Sequence, residues 1–279
     1  MKRVNVGLVL YNNSQEEIFQ CLNSLNRQTS VKSINKLLIK DNSISPLEHI
    51  DHWIAAQTAN FEIQQWHGSN NGFGAAHNFL FQHTPETIEA YLCLNPDGVM
   101  HPNCLKALLE KMDQTGPNNL FEARQEPVMH PKFYHPDSGV TDWCSGACLL
   151  IPSPLYRTTQ GFDETFFLYC EDVDLSWRVR AQGGRCFSIS EARFLHYTLD
   201  RKQSSSDVEI WKSAAILAHK WGSKKFVKQA LDRVKSLDRS KLNSVQETLK
   251  KIEQVPWGSL KTVKPHFNSG LVFSDALWN

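Results

Sequence analysis

Short apolar runs alternate with amphipathic segments through the amino-terminal third of the chain. The run at 4–11 is compact enough for a buried strand, and it stops at an Asn-Asn-Ser turn. Ser14 and Glu17 then have the spacing of a helix capping box, and the apolar residues that follow recur at helical intervals. The pattern therefore begins with one complete strand and helix.

The same order repeats after this first unit. Further strands are predicted at 37–39, 61–66 and 90–94. A helix that contains Trp53 and Ile54 is predicted between the first two of these, and a glycine-rich turn at 70–74 precedes another helix. Such alternation indicates an α/β fold with a Rossmann-like, mostly parallel sheet and helices on both faces.

The middle of the chain is less regular. Residues 117–142 lose periodicity and are rich in Pro and His, which predicts a functional loop or lid. A strand at 147–151, an aromatic strand at 166–169, a helix from Glu171 to Gln182 and a strand at 186–190 are predicted beyond it.

Past residue 205, two apolar stripes at helical spacing predict packed helices. We therefore expect a catalytic α/β domain at 1–204 and a helical C-terminal extension at 205–279. Residues 201–279 contain 15 Lys and Arg against 7 Asp and Glu, although the whole chain has a net charge of only +1. This asymmetry suggests an anionic partner, with a membrane surface or a polyanion as candidates, and a solvated helical surface is an equal alternative.

Composition limits where the chain is expected to work. Hydrophobic residues make up 41% of it, enough for a sizeable core, and no run approaches the roughly 18 apolar residues of a membrane span. The start is too short and too strand-like for a signal peptide, so a cytoplasmic location is predicted. The seven cysteines lie mostly in apolar runs and are expected to be reduced packing residues.

Polar side chains follow the predicted strands at Asn12, Asp41, Asn70 and Asp97. Each one alone is as well explained as a turn residue. Because ligands bind at the carboxyl ends of the strands in such folds, four polar residues at successive strand ends predict a ligand site.

Asp97 lies in Asn-Pro-Asp at the end of an apolar strand. A carboxylate there can fix a divalent cation that stabilises the charge on a departing diphosphate, and His196 can supply a neutral nitrogen ligand to the same cation. The alternative for Asp97 is a simple Pro-Asp-Gly turn.

Glu171 and Asp172 begin a predicted helix. A carboxylate within reach of an acceptor hydroxyl can act as general base, and the helix N-terminus favours its ionised form. The same dipole supports the alternative that these acids only stabilise the helix start.

The glycine-rich turn superficially matches a dinucleotide fingerprint, but His77 stands in place of the third glycine. A nicotinamide cofactor is therefore not expected. A turn whose backbone amides and Asn78 face a nucleotide is the remaining interpretation.

An ordered set of motifs extends through the α/β part. It comprises Leu-Tyr-Asn at 10–12, Lys-Asp-Asn-Ser at 40–43, Asn-Asn-Gly-Phe-Gly-Ala-Ala-His-Asn at 70–78, Leu-Asn-Pro-Asp at 94–97, Ser-Gly-Ala-Cys at 145–148, and Gly-Phe-Asp-Glu-Thr-Phe-Phe-Leu-Tyr-Cys-Glu-Asp-Val-Asp-Leu at 161–175. Across about residues 4–198 the chain resembles family 2 glycosyltransferases, and within them the bacterial rhamnosyltransferase-like enzymes that build surface polysaccharides.

The resemblance implies a GT-A fold and an inverting single displacement with Mg or Mn on the diphosphate. It implies Asp172 as the acceptor base with Glu171 beside it, and Asp97 and His196 as metal ligands. Nucleotide-sugar contacts are implied for Tyr11, Asn12, Asp41, Asn70, Gly72, Asn78, Asn95 and Asp97. Gly98 departs from the family, in which a larger residue is common at this position.

The implied reaction moves a hexose or deoxyhexose, with rhamnose as one candidate, from a UDP or dTDP sugar to an acceptor hydroxyl. The acceptor is a glycan or a polyprenyl-diphosphate-linked sugar of O-antigen or capsule synthesis, at the inner face of the inner membrane. A catalytically inactive nucleotide-sugar-binding assembly subunit is the alternative, and no nucleic-acid partner is expected.

Overall fold

The computed structural model describes residues 2–45, 60–196 and 206–277. Within these ranges nine strands form one sheet. They are β1 (Val4–Leu10), β2 (Ile34–Asp41), β3 (Glu62–His67), β4 (Ala90–Leu94), β5 (Gly98–Met100), β6 (Leu120–Glu126), β7 (Val140–Thr141), β8 (Cys148–Pro152) and β9 (Cys186–His196).

Nine α-helices accompany these strands in the described ranges. They are α1 (Gln15–Asn26), α2 (Phe73–Gln82), α3 (Cys104–Thr115), α4 (Ser153–Thr159), α5 (Glu171–Ala181), α6 (Ser206–Lys220), α7 (Lys224–Leu237), α8 (Leu242–Lys251) and α9 (Trp257–Val263). The helix predicted around Trp53 and Ile54 lies outside the described residues.

The sheet has a parallel half and a mixed half. The strand order is β3-β2-β1-β4-β8-β6-β9-β5, and β7 also pairs with β9. The first four strands in this order, β3, β2, β1 and β4, are parallel to one another. β8 runs antiparallel to both of its neighbours, β4 and β6. The predicted α/β class is confirmed, and the parallel half is the part in which strands and helices alternate along the sequence.

Successive residues of one strand face different cores. Leu92 of β4 packs in a core with residues of α1 and α3, whereas Tyr91 packs in a second core with residues of α2 and α4. Helices therefore cover both faces of the sheet, as predicted. The capping box of Ser14 and Glu17 at the start of α1 is also confirmed.

The prediction of a long loop at 117–142 is wrong for its first part. Leu120–Glu126 is strand β6, which lies between β8 and β9 inside the sheet. Its Glu122 is buried and forms an ion pair with the equally buried Lys132. A charged residue at a buried strand position conceals the apolar run by which sequence analysis recognises a strand.

The aromatic strand predicted at 166–169 does not form. The backbone bends repeatedly over 167–170 instead of extending as a strand. Tyr169 and Cys170 adopt left-handed conformations with φ of 69° and 66°. Phe166 is fully buried in the core that the C-terminal helices share. Tertiary packing, rather than strand pairing, therefore determines this segment.

The C-terminal helices share one apolar core with residues that precede the predicted boundary at 204. Trp177 of α5 packs edge-on against Trp221, at the end of α6, with 5.3 Å between the ring centroids. The core thus crosses the boundary, and the division into two domains stays a prediction.

All seven cysteines are free and buried, as expected. Throughout the described ranges, no helix has the length and apolar character needed to cross a membrane.

Candidate active site

A cleft of about 550 Å³ opens at the carboxyl ends of β1 and β4. The start of α5, the end of β9 and the turn at 143–147, which we call the β8 turn, form its other walls. Eight residues predicted for the site line this cleft: Tyr11, Asn70, Gly72, Asn95, Asp97, Glu171, Asp172 and His196.

Strand β5 brings Asp97 and His196 together. Gly98 starts β5 directly after Asp97 and pairs with His196, the last residue of β9. The Nε2 atom of His196 consequently lies 3.1 Å from Oδ1 of Asp97. A Cβ atom at Gly98 would lie only 2.2 Å from the ring of Phe194, which explains why glycine occupies this position.

The imidazole of His196 is oriented and neutral. Its Nδ1 lies 2.9 Å from Oε1 of Gln125, and its Nε2 faces Oδ1 of Asp97 at 3.1 Å. Burial lowers the pKa of His196 to about 4, which keeps the ring uncharged at neutral pH.

A neutral imidazole beside a carboxylate oxygen is a donor set that fits a divalent cation such as Mn²⁺ or Mg²⁺. In the described part of the chain, no group of three or more His, Cys, Asp or Glu side chains converges as a metal site. A cation bound by Asp97 and His196 would therefore take its other ligands from water and from a bound ligand, as Mg²⁺ commonly does with phosphates.

Asp172 lies in the first turn of α5, where the helix dipole favours negative charge. Its Oδ2 accepts the N–H of Gly146 at 3.0 Å, and its Oδ1 accepts the N–H of Val173 at 2.8 Å. Burial raises the pKa of Asp172, while these two N–H groups act in the opposite direction. The two hydrogen bonds thus hold the carboxylate in place at the wall of the cleft.

Glu171 is more deeply buried beside Asp172. Burial, and then the charge of Asp172, raise the pKa of Glu171 well above its usual value. Its Oε2 atom has no hydrogen-bond partner among the described residues. Of the two, Asp172 is therefore the better candidate for the ionised member of the pair.

Asn12 and Asp41 lie at the same end of the sheet but do not line the cleft. The side chain of Asp41 accepts the N–H of Ser43 at 2.9 Å, and the N–H of Asn12 donates to the Ser43 hydroxyl at 2.8 Å. Asn70, which does line the cleft, accepts the N–H of Gly72 at 3.0 Å. The bond between Asn12 and Ser43 joins the loops after β1 and β2, and the amide of Asn42 donates to Oδ1 of Asn70 at 3.4 Å, which joins them to the loop after β3.

Asn78 is placed away from the cleft, in the interior of α2. Its Oδ1 accepts the N–H of Phe162 and the hydroxyl of Tyr156, each at 2.9 Å. Its Nδ2 donates to the carbonyl of Phe162 and to Glu164, at 2.8 and 2.9 Å. The side chain therefore connects α2 to the segment at 161–164.

A buried ion pair lies behind the β8 turn. Nζ of Lys132 is 2.7 Å from Oε2 of Glu122 and donates to the carbonyl of Trp143 at 2.6 Å. The N–H of Ser145 donates to the same carboxylate oxygen of Glu122. The pair thus fixes the turn from which Gly146 reaches Asp172.

Gln125, Glu122, Lys132 and Gly146 carry no sequence signal that predicts a role for them. Gln125 and Glu122 belong to β6, which was interpreted as part of a loop, and Gly146 acts through its backbone. The Ser-Gly-Ala-Cys motif at 145–148 was the one available signal for the turn, and it carries no information about which atom points at the cleft.

The model of the family described as "Glycosyl transferase family 2" matches residues 6–175. Among curated proteins, the chain is 23% identical over 193 residues to the rhamnosyltransferase WbbL of Escherichia coli K12, covering 58% of this chain and 72% of that protein. It is 37% identical over 62 residues to an N-acetylglucosaminyl-diphospho-decaprenol L-rhamnosyltransferase of Mycobacterium tuberculosis, covering 22% of this chain and 20% of that protein.

Solved glycosyltransferase structures share the fold. GalNAc-T7, crystallised with UDP, GalNAc and Mn²⁺, superposes with a TM-score of 0.69 at 14% identity, over 94% of this chain and 56% of that chain. The mannosyltransferase PcManGT of Pyrobaculum calidifontis, in complex with GDP-Man and Mn²⁺, superposes with a TM-score of 0.61 at 12% identity. The match covers 89% of this chain and 73% of that chain. The fold is GT-A, as predicted. The family model covers more than half of the chain, and the chain belongs to glycosyl transferase family 2, with similarity to its rhamnosyltransferases.

Proposed function

We propose that this chain is an inverting glycosyltransferase that moves a sugar from a nucleoside diphosphate to an acceptor hydroxyl. The observation that carries the proposal is that one cleft contains both an anchored carboxylate, Asp172, and a second acidic centre, Asp97 with His196. A single displacement requires a base on the acceptor side and charge stabilisation on the leaving-group side.

In the proposed reaction, Asp172 accepts the proton of the acceptor hydroxyl as the oxygen attacks the anomeric carbon. The bond from that carbon to the diphosphate oxygen breaks, and the diphosphate leaves with the electron pair on the opposite side, so the configuration inverts. When bound, Mg²⁺ or Mn²⁺ supplies positive charge to the departing diphosphate. Asp97 and His196 are the residues that would bind it.

The donor and acceptor are proposed as classes. UDP, GDP-Man and UDP-GlcNAc accompany solved structures of this fold, which supports a nucleoside-diphosphate sugar, and we propose the UDP or dTDP type. The names of the two relatives support rhamnose as a deoxyhexose candidate. The mycobacterial name also supports a polyprenyl-diphosphate-linked acceptor. A role in O-antigen or capsule synthesis is part of the proposal.

We also propose that the C-terminal region contacts the anionic inner face of the inner membrane. Trp257, at the start of α9, is 72% exposed, and Nζ of Lys261 lies 5.5 Å from its ring centroid. Exposed tryptophan beside lysine is typical of residues that bind the lipid interface.

Flotation of the protein with phosphatidylglycerol vesicles should decrease as salt is added, and it should be weaker for Trp257→Ala than for the wild type. Flotation independent of salt and lipid charge would contradict this docking.

Release of nucleoside diphosphate from the full chain tests the main proposal. A thermal-shift screen with Mn²⁺ first identifies the donor, because a ligand that binds the native state raises the unfolding temperature. Nucleoside diphosphate should then appear only with Mn²⁺ or Mg²⁺ and a lipid extract that supplies acceptor. Stabilisation by a donor without any transfer would instead favour the inactive binding subunit.

A further inference from the structure

Large apolar side chains are exposed around the mouth of the cleft. The described residues include ten exposed large apolar side chains, and five of them, which we call the rim, lie here: Tyr11, Ile44, Val128, Met129 and Phe167. Tyr11 and Phe167 line the cleft, Ile44 lies just after the lining residue Asn42, and Val128 and Met129 directly precede the lining residue His130. Isolated exposed apolar residues are normal, but their concentration at one opening indicates a contact surface.

The sheet explains why the rim residues meet. β1, β2 and β4 are parallel, and β6 has the same direction as β4 because β8 runs antiparallel to both. The loops after β1, β2 and β6 therefore start at one edge of the sheet, and they carry Tyr11, Ile44 and the pair at 128–129. Phe167 comes to the same edge because its carbonyl accepts the N–H of Phe73, at the start of α2, at 2.9 Å.

The rim has the composition of a surface that enters a lipid headgroup layer. Its exposed neighbours in the loops after β1, β2 and β3 are polar and uncharged: Asn12, Ser45, Ser69 and Asn71. Apolar side chains among such groups can be buried at the boundary of headgroups and acyl chains, while the polar groups stay hydrated. A protein partner seated across the rim would instead close the cleft to its substrates.

The proposed acceptor also requires the mouth of the cleft to approach a bilayer. When one sugar is attached to a polyprenyl diphosphate, only that sugar ring and the diphosphate separate the attacking hydroxyl from the lipid. The hydroxyl must reach Asp172, which lines the cleft inside the rim. The rim is therefore the part of the surface that comes closest to the bilayer during transfer.

We propose that the rim inserts into the headgroup layer of a bilayer, so that the cleft opens directly onto the lipid surface. The inference rests on the proposed lipid-linked acceptor, and it adds a second contact to the one proposed for the C-terminal region. Because the rim is apolar and its exposed neighbours are uncharged, this contact depends on burial of apolar side chains rather than on lipid charge.

The first experiment places an environment-sensitive nitrobenzoxadiazole label on the rim of the full chain. All seven native cysteines are buried, so the exposed thiols of Ile44→Cys and Val128→Cys can be labelled selectively. With vesicles of equal parts phosphatidylethanolamine and phosphatidylglycerol, both labels should become brighter and shift to the blue. Gln114→Cys, exposed in the last turn of α3, is the control and should not change.

The second experiment measures vesicle binding by flotation. The double variant Ile44→Ser, Val128→Ser should bind the same vesicles about 10–100-fold more weakly than the wild type, because two apolar side chains are no longer buried in lipid. Phe133→Ser is the matched control. Phe133 is exposed, but it lies beside Cys186, at the end of β9 opposite to His196, and its replacement should leave binding unchanged. Thermal unfolding shows whether each variant is folded.

Unchanged labels at positions 44 and 128 on protein that floats with the vesicles would overturn the inference, because the C-terminal region alone would then hold the membrane. A wild type that fails to float, or label changes that appear without vesicles as the protein concentration rises, would overturn it as well. Neither experiment contains donor or acceptor. A rim that inserts in a protein that transfers no sugar would therefore contradict the proposed function alone.

Discussion

Glu171 and Asp172 begin α5 side by side in the cleft, and burial raises the pKa of both carboxyl groups. Asp172 has two backbone N–H donors for its ionised form, whereas one oxygen of Glu171 has no partner among the described residues. A proton on Glu171 therefore removes the repulsion between the two groups and leaves the charge on Asp172.

Replacement of Glu171 tests this distribution of charge. The folded protein keeps the Glu171 proton above pH 4.5, where the unfolded chain loses it, so the stability of the wild type falls as pH rises toward the raised pKa. In Glu171→Gln this loss is absent. The free energy of unfolding of the variant, relative to that of the wild type, should then increase by up to about 1.4 kcal/mol for each unit by which the pH rises.

Urea unfolding between pH 4 and pH 9 measures this difference. Glu86→Gln, at an exposed position after α2, is the matched control and should follow the wild type at every pH. Parallel pH curves for the wild type and Glu171→Gln would show that Glu171 is ionised in the folded protein.

Lys132 provides a second prediction at this scale. Lys132→Met leaves Glu122 buried without its cation, which should lower the free energy of unfolding by about 3–5 kcal/mol. Lys106→Met breaks the exposed pair with Glu110 and should cost about 0–1 kcal/mol. Urea unfolding at pH 7 compares the two, and equal losses would contradict the buried charge pair.

The residues of the cleft differ in how well sequence could predict them. Asp97, Asp172 and His196 stand at recognisable ends of elements, and sequence analysis selected them; their chemical roles stay predictions. Gln125 could not be found, because its importance depends on the atoms that lie on either side of it. Those neighbours, His196 and Ser145, are 71 and 20 residues away in sequence.

At the scale of elements, α5 depends on the C-terminal helices. Asp174 is fully buried and accepts hydrogen bonds from Arg178, Lys220 and the indole of Trp221. Lys220 also contacts Asp163, in the segment before α5. The end of α6 thereby fixes the helix that carries Asp172.

Trp221→Ala should therefore be strongly destabilising. It removes a buried aromatic side chain and a donor to Asp174, and the expected loss is about 3–5 kcal/mol. Trp257→Ala, at an exposed site, should change stability by no more than about 0.5 kcal/mol. Thermal and urea unfolding measure both, and a loss below about 1 kcal/mol in Trp221→Ala would contradict a shared core.

The elements that sequence predicted correctly are those with local signals. The capping box at Ser14 and the glycines at 183–184 mark helix ends through contacts within a few residues. The stretch at 166–169 has the composition of a strand, but its position depends on burial of Phe166 against helices that follow in sequence. Periodicity carries no information about such distant partners.

At the scale of the whole molecule, the chain combines a GT-A sheet with basic C-terminal helices whose core it shares. The family match ends at residue 175, just inside α5. Asp174 lies at the end of the matched segment, and Trp221, which donates to it, lies outside that segment. The C-terminal helices therefore hold the helix of Asp172 through residues that the family model does not cover.

Comparison of Asp172→Asn with the wild type tests the central claim most directly. The variant keeps the size of residue 172 and can keep one of its two N–H contacts, because asparagine has one acceptor oxygen, but it removes the base. Once a donor is identified, its affinity should stay unchanged, while the turnover number should fall by about 10²–10⁴-fold. Asp113→Asn, on the exposed face of α3, should turn over normally. Wild-type turnover by Asp172→Asn would contradict the assignment of Asp172 as the base and, with it, the proposed mechanism.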